Sequence, residues 1–167
     1  MAPFDVRTGL GWDSHRLVPG GPDGRPLILG GVRIPGELGL DGHSDADVLT
    51  HAVIDALLGA AGMGDIGEHF PDTDERWRGA DSIALLQHVA GLVGSAGWTT
   101  TSIDATVILE RPKLKDHKPE MERRIAAAAG VEPDRVNVKA TTAERLDAVG
   151  RGEGAVAQAV ATIVRSS

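Results

Sequence analysis

Asp13 and His15 stand two residues apart in the stretch GWDSHRL. On a β-strand residues i and i+2 share a face, so a carboxylate and an imidazole there point the same way, as a metal site or an acid–base pair requires. A second group of the same chemistry lies in HSDADVLTHAVIDALLGAAG, where Asp47, His51 and Asp55 are each four residues apart and share one face of a helix. Asp13, His15 and His51 together would supply two imidazoles and one carboxylate. That is three protein ligands with one coordination position left for a substrate oxygen, the arrangement of a catalytic zinc. Asp47 or Asp55 would then orient a ligand imidazole from behind. The competing readings are a polar strand end for Asp13 and His15 and a solvated outer face for the helix stripe. Spacing leaves both open, because it does not bring His15 and His51 together.

Two further stretches carry reactive types. The loop DIGEHFPDTD holds Asp65, His69, Asp72 and Asp74, residues that are also common in exposed loops. KATTAERL places adjacent hydroxyls at Thr141 and Thr142, with Glu144 two further on. Hydroxyls and free backbone N–H groups donate to phosphate, and a carboxylate there can hold Mg²⁺. The same Thr-Thr-x-Glu also reads as a helix cap. GRGEG, Gly150 to Gly154, is either a phosphate-approaching loop or a turn. No Ser–His or Cys–His nucleophile pair stands out.

Bulk properties narrow the classes. The chain has 167 residues and 41% hydrophobic residues, which favours one domain, 1–167, with a real core. Aromatics are 3% with no Tyr, so the core must be Ala, Val, Leu and Ile. The 24 acidic against 17 basic residues give a formal charge of −7. This argues against a general nucleic-acid binder, which needs a basic face. With no cysteine, any metal must be held by His, Asp or Glu. MAPFDVRTGLGW lacks a basic-then-apolar leader pattern, and no apolar run approaches a membrane span. A cytoplasmic protein with no membrane partner is the expectation.

The elements that must position these residues read as follows. Phe4 to Trp12 is a strand, VPGGPDGRP a loop, and LILGGVRIPG two short strands turning at Gly30-Gly31. The clearest helix runs over 44–61, with Ser44 as N-cap, Asp45 and Asp47 at its positive end and Gly62 as its stop. Asp81 or Ser82 caps a second helix through about Ser95. SIDATVILE is a strand ended by Pro112, a third helix starts near Pro119, and DRVNVKAT is another strand. The tail GAVAQAVATIVRS suits either a helix stripe or a strand. Interspersed strands and helices imply an α/β (α+β) sandwich, a mixed β-sheet with helices packed on it.

GWDSH, GGVRIP, HSDADVLTHA, GDIGEHFPDTD, VKATTAE and GRGEG occur in this order over nearly the whole chain. In that series the chain resembles the 2-C-methyl-D-erythritol 2,4-cyclodiphosphate synthase family of the non-mevalonate isoprenoid pathway. The resemblance implies a homotrimer of sheets with helices on one face, its active sites lying between neighbouring subunits. It implies cyclisation of 4-diphosphocytidyl-2-C-methyl-D-erythritol 2-phosphate with release of CMP. By the same resemblance Asp13, His15 and His51 hold a divalent metal, usually Zn²⁺. Glu144 holds a second ion, Mg²⁺ or Mn²⁺, on the diphosphate.

His43 and Ser44 match phosphate-contacting positions, and His43 with Thr142 matches the pair assigned to transition-state stabilisation. Asp65, Ile66 and Gly67, with Phe70, Pro71, Asp72, Thr73 and Asp74, match the part that closes on the methylerythritol phosphate. Leu109, Glu110, Arg111, Pro112, Lys113, Leu114 and Lys115, with Thr141, Thr142 and Ala143, match the cytidine side. Ala148 and Arg151 match a region lining an apolar cavity on the trimer axis. That region often carries an aromatic residue, and here reads Leu146-Asp147-Ala148-Val149. The resemblance implies that the tail is a strand. Two other readings stay open: a metal-dependent phosphohydrolase that uses bound water as nucleophile, and a non-catalytic trimeric binding module braced by its metal.

Overall fold

Alternation along the first strand sets the layout. The computed structural model describes residues 4–166, and its first element, β1, is Phe4–Pro19. Gly9 and Gly11 face inward and are buried, while Val6, Leu10 and Trp12 face outward, with Leu10 70% and Trp12 53% exposed. β7 (Gly154–Ser166) pairs antiparallel with β1 along its length and repeats the pattern, with Ala155, Ala157, Ala159, Ala161 and Ile163 inward and buried. The tail is therefore a strand. Its small alternate residues form a floor on which a helix can lie close.

β4 (Leu38–Leu40) pairs antiparallel with the end of β1, β5 (Thr99–Ile108) antiparallel with β7, and β6 (Val136–Thr141) parallel with β5. The mixed sheet runs β4-β1-β7-β5-β6. β1 extends seven residues beyond the expected Trp12, because its far end finds partners in β4 and in the start of β7. β2 (Leu27–Leu29) and β3 (Val32–Ile34) form a separate hairpin, turning at Gly30 and Gly31 with φ of 57° and 73°. Two successive left-handed residues suit glycine.

α1 (Val48–Ala61) lies on the inner face of β1 and β7 and is buried on nearly all sides, as expected of a helix without a polar stripe given to water. α3 (Ser82–Ser95) packs on α1, and α4 (Lys118–Ala129) on α3 and β6. Short α2 (Ile66–His69) and α5 (Asp147–Gly150) lie in connecting segments. α1 begins later than the sequence implies. Ala46 turns left-handed at φ 58°, so the N-cap is Asp47 and not Ser44. The Asp47 carboxylate accepts from the Thr50 N–H and hydroxyl and from the Gly30 and Gly31 N–H groups. One buried carboxylate thus starts the helix and pins the hairpin turn to it. Among the described residues no helix is long and apolar enough to cross a membrane. The readings of Met1–Pro3 as part of a leader-free N-terminus and of Ser167 as the domain's end lie outside the described residues.

The backbone of α1 lies close against that of β1. A Cβ added to Gly11 would overlap the Ala52 carbonyl oxygen and lie 2.7 Å from the Ala56 nitrogen; one added to Gly9 would overlap the Ala56 carbonyl. These are backbone atoms, which cannot rotate aside. Gly11→Ala should therefore destabilise by about 1–3 kcal/mol or more, lowering the melting temperature by several degrees. Gly91→Ala, in open space on α3, should be neutral or stabilising by up to about 1 kcal/mol. Thermal unfolding of the two variants side by side checks the contact; equal effects would refute it.

Candidate metal centre

Asp13 and His15 lie on the inward face of β1, on the same side as Gly9 and Gly11. The close contact of Gly11 with α1 sets His51, one residue before Ala52, directly over them. His51 Nδ1 is 2.9 Å from Asp13 Oδ2 and 3.2 Å from His15 Nε2, and His15 Nε2 is 3.0 Å from Asp13 Oδ2. Three atoms that can each ligate a metal thus meet around one point. In a tetrahedral zinc site with bonds of about 2.0–2.2 Å, ligand atoms sit about 3.3–3.5 Å apart. The observed triangle needs to open by only a few tenths of an ångström, so the donor set fits a divalent metal.

The electrostatics bind the triad together. Burial works to raise Asp13, but hydrogen bonds and charge from His15 and His51 overcome it and hold the carboxyl at about 2. Burial works to lower His51, but the hydrogen bond and charge of Asp13, with the charges of Asp47 and Asp45, raise it above the ordinary imidazole value.

The polar stripe of α1 is buried, not solvated, and its members do different things. Asp47 is spent on the helix start and the hairpin; burial pushes it up against its hydrogen bonds. Asp55 accepts from the Ile66 N–H at 2.7 Å and ties α1 to α2. Neither accepts from the His51 ring. That role falls to Ser82 Oγ, 2.8 Å from His51 Nε2, and Ser44 Oγ at 3.1 Å. Ser82 is free to do this because Asp81, not Ser82, caps α3 through the Ile83 N–H.

The triad opens into a cavity of 460 Å³ also lined by His43, Ser44, Ile66, Gly67, Phe70, Pro71 and Asp72. Gly42, Trp77 and Leu85 complete the wall and were not foreseen. A Trp inside a polar loop of a chain with 3% aromatics was the available signal. His43 Nε2 and Trp77 Nε1 are buried without a hydrogen-bond partner, and such groups are costly unless something pairs with them. Asp65, Thr73 and Asp74 do not line this cavity. Asp65 caps α2 through the Glu68 N–H, and Asp74 caps a 3-10 turn and pairs with Arg76. His69 donates to the Met63 carbonyl. A larger cavity, 540 Å³, lies elsewhere, between α3, α4 and the hairpin, and contains none of the triad; converging ligand atoms, not size, identify the centre.

A separate cavity, 430 Å³, is lined by Leu109, Glu110, Pro112, Lys113, Leu114, Lys115, Thr141 and Thr142, together with the unforeseen Ala140 and Lys118. It shares no residue with the first. Arg111 turns instead to a small cavity beside Leu38. No helix begins at Thr142. Glu144 and Arg145 are both left-handed, at φ 51° and 63°, and form a tight turn after β6. Glu110 anchors that turn by accepting from the Ala143 N–H, and the Thr142 hydroxyl donates to Glu144 at 2.7 Å. Ala148 lines a further hollow with Trp12 and His15, while exposed Arg151 pairs with Glu153 in the turn before β7.

The triad predicts a pH signature in the metal-free protein. Asp13 is depressed on folding, so its contribution is complete above its unfolded value near 3.8 and is lost as pH falls towards about 2; a shift of that size is worth about 2 kcal/mol. His51 is raised on folding, so its contribution is present below the ordinary imidazole value and is lost as pH rises through the raised one. Asp13→Asn should flatten the acid limb of unfolding free energy between pH 4 and 2, about where Asp13 titrates, measured by denaturant titration. A limb as steep as the parent's would show that the ion pair contributes nothing there.

Comparison with known proteins places this geometry. The profile of the YgbB family matches residues 6–164. A Rubrobacter xylanophilus protein named 2-C-methyl-D-erythritol 2,4-cyclodiphosphate synthase is 58% identical over 160 residues, covering 96% of each chain. The solved bifunctional IspDF from Campylobacter jejuni matches with a TM-score of 0.92 and 42% identity, over 98% of this chain and 43% of that longer one. A Plasmodium falciparum IspF in complex with CDP matches with a TM-score of 0.84 and 26% identity over 97% of both chains. With a family match along nearly the whole described length and identity well above half to a named relative, the chain belongs to the YgbB family.

Proposed function

We propose that the protein is a 2-C-methyl-D-erythritol 2,4-cyclodiphosphate synthase, acting as one domain over 1–167 in the cytoplasm. It converts 4-diphosphocytidyl-2-C-methyl-D-erythritol 2-phosphate to the cyclic diphosphate and CMP. The observation that carries this reading is the convergence of Asp13, His15 and His51 in a cavity that also holds His43 and Ser44. An oxygen of the 2-phosphate bonds to the β-phosphorus, and the bond from that phosphorus to the CMP oxygen breaks with the electron pair leaving on CMP. The nucleophile is already anionic at neutral pH and needs no strong base. The difficulty is the approach of one anion to another, so charge neutralisation and placement dominate.

Asp13, His15 and His51 would hold Zn²⁺, which when bound draws electron density from the phosphoryl group and offsets its charge. His43, whose Nε2 is buried without a partner, would donate to a phosphate oxygen beside Ser44. Ile66, Gly67, Phe70, Pro71 and Asp72 would exclude water around the methylerythritol, with Asp65, Thr73 and Asp74 holding the loop's shape. The 430 Å³ cavity would take the cytidine. Lys113, Lys115 and Lys118 on its rim suit a diphosphate. Thr142 and Glu144 stand at its edge, Thr142 to contact the transferred phosphate and Glu144 to hold Mg²⁺ or Mn²⁺.

The two cavities share no lining residue in one chain, which supports an active site completed between subunits. The outward face of β1 and β7 supports the same reading, since Val6, Leu10, Trp12 and Val160 form an apolar surface of the kind subunits cover. Ala148, which shares a hollow with Trp12, would border the junction, with Arg151 three residues further on. A homotrimer closed on this face satisfies both observations.

Phosphorus NMR with substrate and Mg²⁺ tests the reaction. Cyclic diphosphate resonances with equimolar CMP are expected from the parent, while His51→Ala loses most turnover along with bound metal. CMP with only linear phosphates would make the protein a phosphohydrolase. Glu144→Gln should weaken the Mg²⁺ dependence more than it changes tightly bound metal. Trp12→Asp should reduce the mass in light scattering from three chains to one of 17.4 kDa and abolish turnover while leaving the fold intact by circular dichroism. A fully active single-chain species would rule out the shared site.

A further inference from the structure

The hydrogen-bond directions behind His51 form a one-way chain. Asp45 is a carboxylate with nothing to donate, and it grips Ser82 twice. Oδ2 accepts the Ser82 N–H at 2.9 Å, and Oδ1 accepts the Ser82 hydroxyl in a short contact. Oδ1 also accepts the Asp47 N–H at 3.2 Å, so neither oxygen is left to turn away. The hydroxyl hydrogen of Ser82 is therefore spent on Asp45. Ser82 Oγ has only lone pairs to offer His51 Nε2 at 2.8 Å, so Nε2 must carry the hydrogen. In a neutral imidazole the other nitrogen is then bare. That nitrogen, Nδ1, is the one that meets Asp13 and His15.

We propose that Ser82 and Asp45 are positioning residues of the metal centre, which set the tautomer of His51 so that Nδ1 presents its lone pair to the metal. The opposite tautomer would put a hydrogen at the point where the three ligand atoms meet. Three further observations support the assignment. Ser82 is fully buried, so no water competes for its hydroxyl. Asp81 already caps α3, so the Ser82 side chain has no capping duty to explain it. Asp47 and Asp55, the other carboxylates within reach on α1, are engaged elsewhere. Ser44 Oγ also lies near Nε2, but at the longer 3.1 Å, and it accepts the Ala46 N–H. Its own hydroxyl hydrogen is not committed to a carboxylate, so Ser82, held by Asp45, and not Ser44 sets the direction.

The proposal rests on the reading of the triad as a metal site, and the test separates the two. Metal-free full-length protein is titrated with Zn²⁺ against a chromophoric chelator. The parent is compared with Ser82→Ala, Asp45→Ala, the double variant, and Gln87→Ala on the same helix as a control. Ser82→Ala and Asp45→Ala should each weaken zinc binding by about 10- to 100-fold. The double variant should be no weaker than the weaker single, because the two groups act in series. In the zinc-loaded parent, nitrogen-15 spectra should show His51 with hydrogen on Nε2 in slow exchange with water, and Ser82→Ala should lose that slow exchange. Gln87→Ala should match the parent in both. Should Asp45→Ala fail to fold, Ser82→Ala alone decides. Parent-like zinc affinity and exchange in folded Ser82→Ala would overturn the proposal. So would losses that add in the double variant. A parent that binds no zinc would overturn the metal reading itself, and this inference with it.

Discussion

Everything at the centre depends on how closely the backbone of α1 can lie on β1. Gly9 and Gly11 remove the side chains that would hold the helix off, and Ala52, Ala56 and Ala60 present small residues in return. The buried alanines of β7 extend the same low floor. Because Gly11 is two residues before Asp13 and Ala52 is one after His51, this single contact fixes the height and register of the three ligand atoms. A helix held further away by larger side chains would separate His51 from Asp13 by more than any one metal ion can span.

Burying α1 on nearly all sides carries a cost, since its polar residues go into the interior with it. A buried polar group is tolerated only when its hydrogen bonds are made. Here each has separate partners: Asp47 takes four donors from the helix start and the hairpin, Asp55 takes one from α2, and His51 is held between Asp13 and Ser82. The stripe that looks uniform on a helical wheel is thus three devices. Two fasten the hairpin and the loop over the cavity to the central helix, and the third faces the chemistry. The loop carrying Phe70 and Trp77 is closed by their edge-to-face packing at 5.0 Å, so the wall of the cavity is built by aromatic contact and its floor by the triad.

An acidic chain, −7 overall, suits a polyanionic substrate only where positive charge is concentrated locally. The described residues supply it in two places: a three-ligand site that fits a divalent cation, and the lysine cluster at 113, 115 and 118 around the 430 Å³ cavity. Those places lie apart within one chain, and the outer face of β1 and β7 is apolar.

Much of this was legible in the residues. The i, i+2 spacing of Asp13 and His15 and the i, i+4 spacing of the α1 stripe follow from the periods of strand and helix, which belong to the local backbone. So do the glycine turn of the hairpin, the order of the helices and of the strands other than β4 and the tail, and the motif series that pointed to the family. The start of α1 was misplaced at Ser44 because a left-handed Ala46 has no signature in residue type. The partner of His51 was sought along its own helix, in Asp47 and Asp55, because sequence spacing sees only neighbours on one element. Ser82 and Asp45 come from another helix and from a loop, and their directed hydrogen bonds exist only after α3 has packed on α1. By itself the sequence determined the ligand types, the faces they occupy and the small residues that permit close packing, since those depend on local geometry and side-chain size. Only the tertiary structure decided that His51 meets Asp13 and His15, and which of its nitrogens does so, because both depend on distances between segments far apart in the chain.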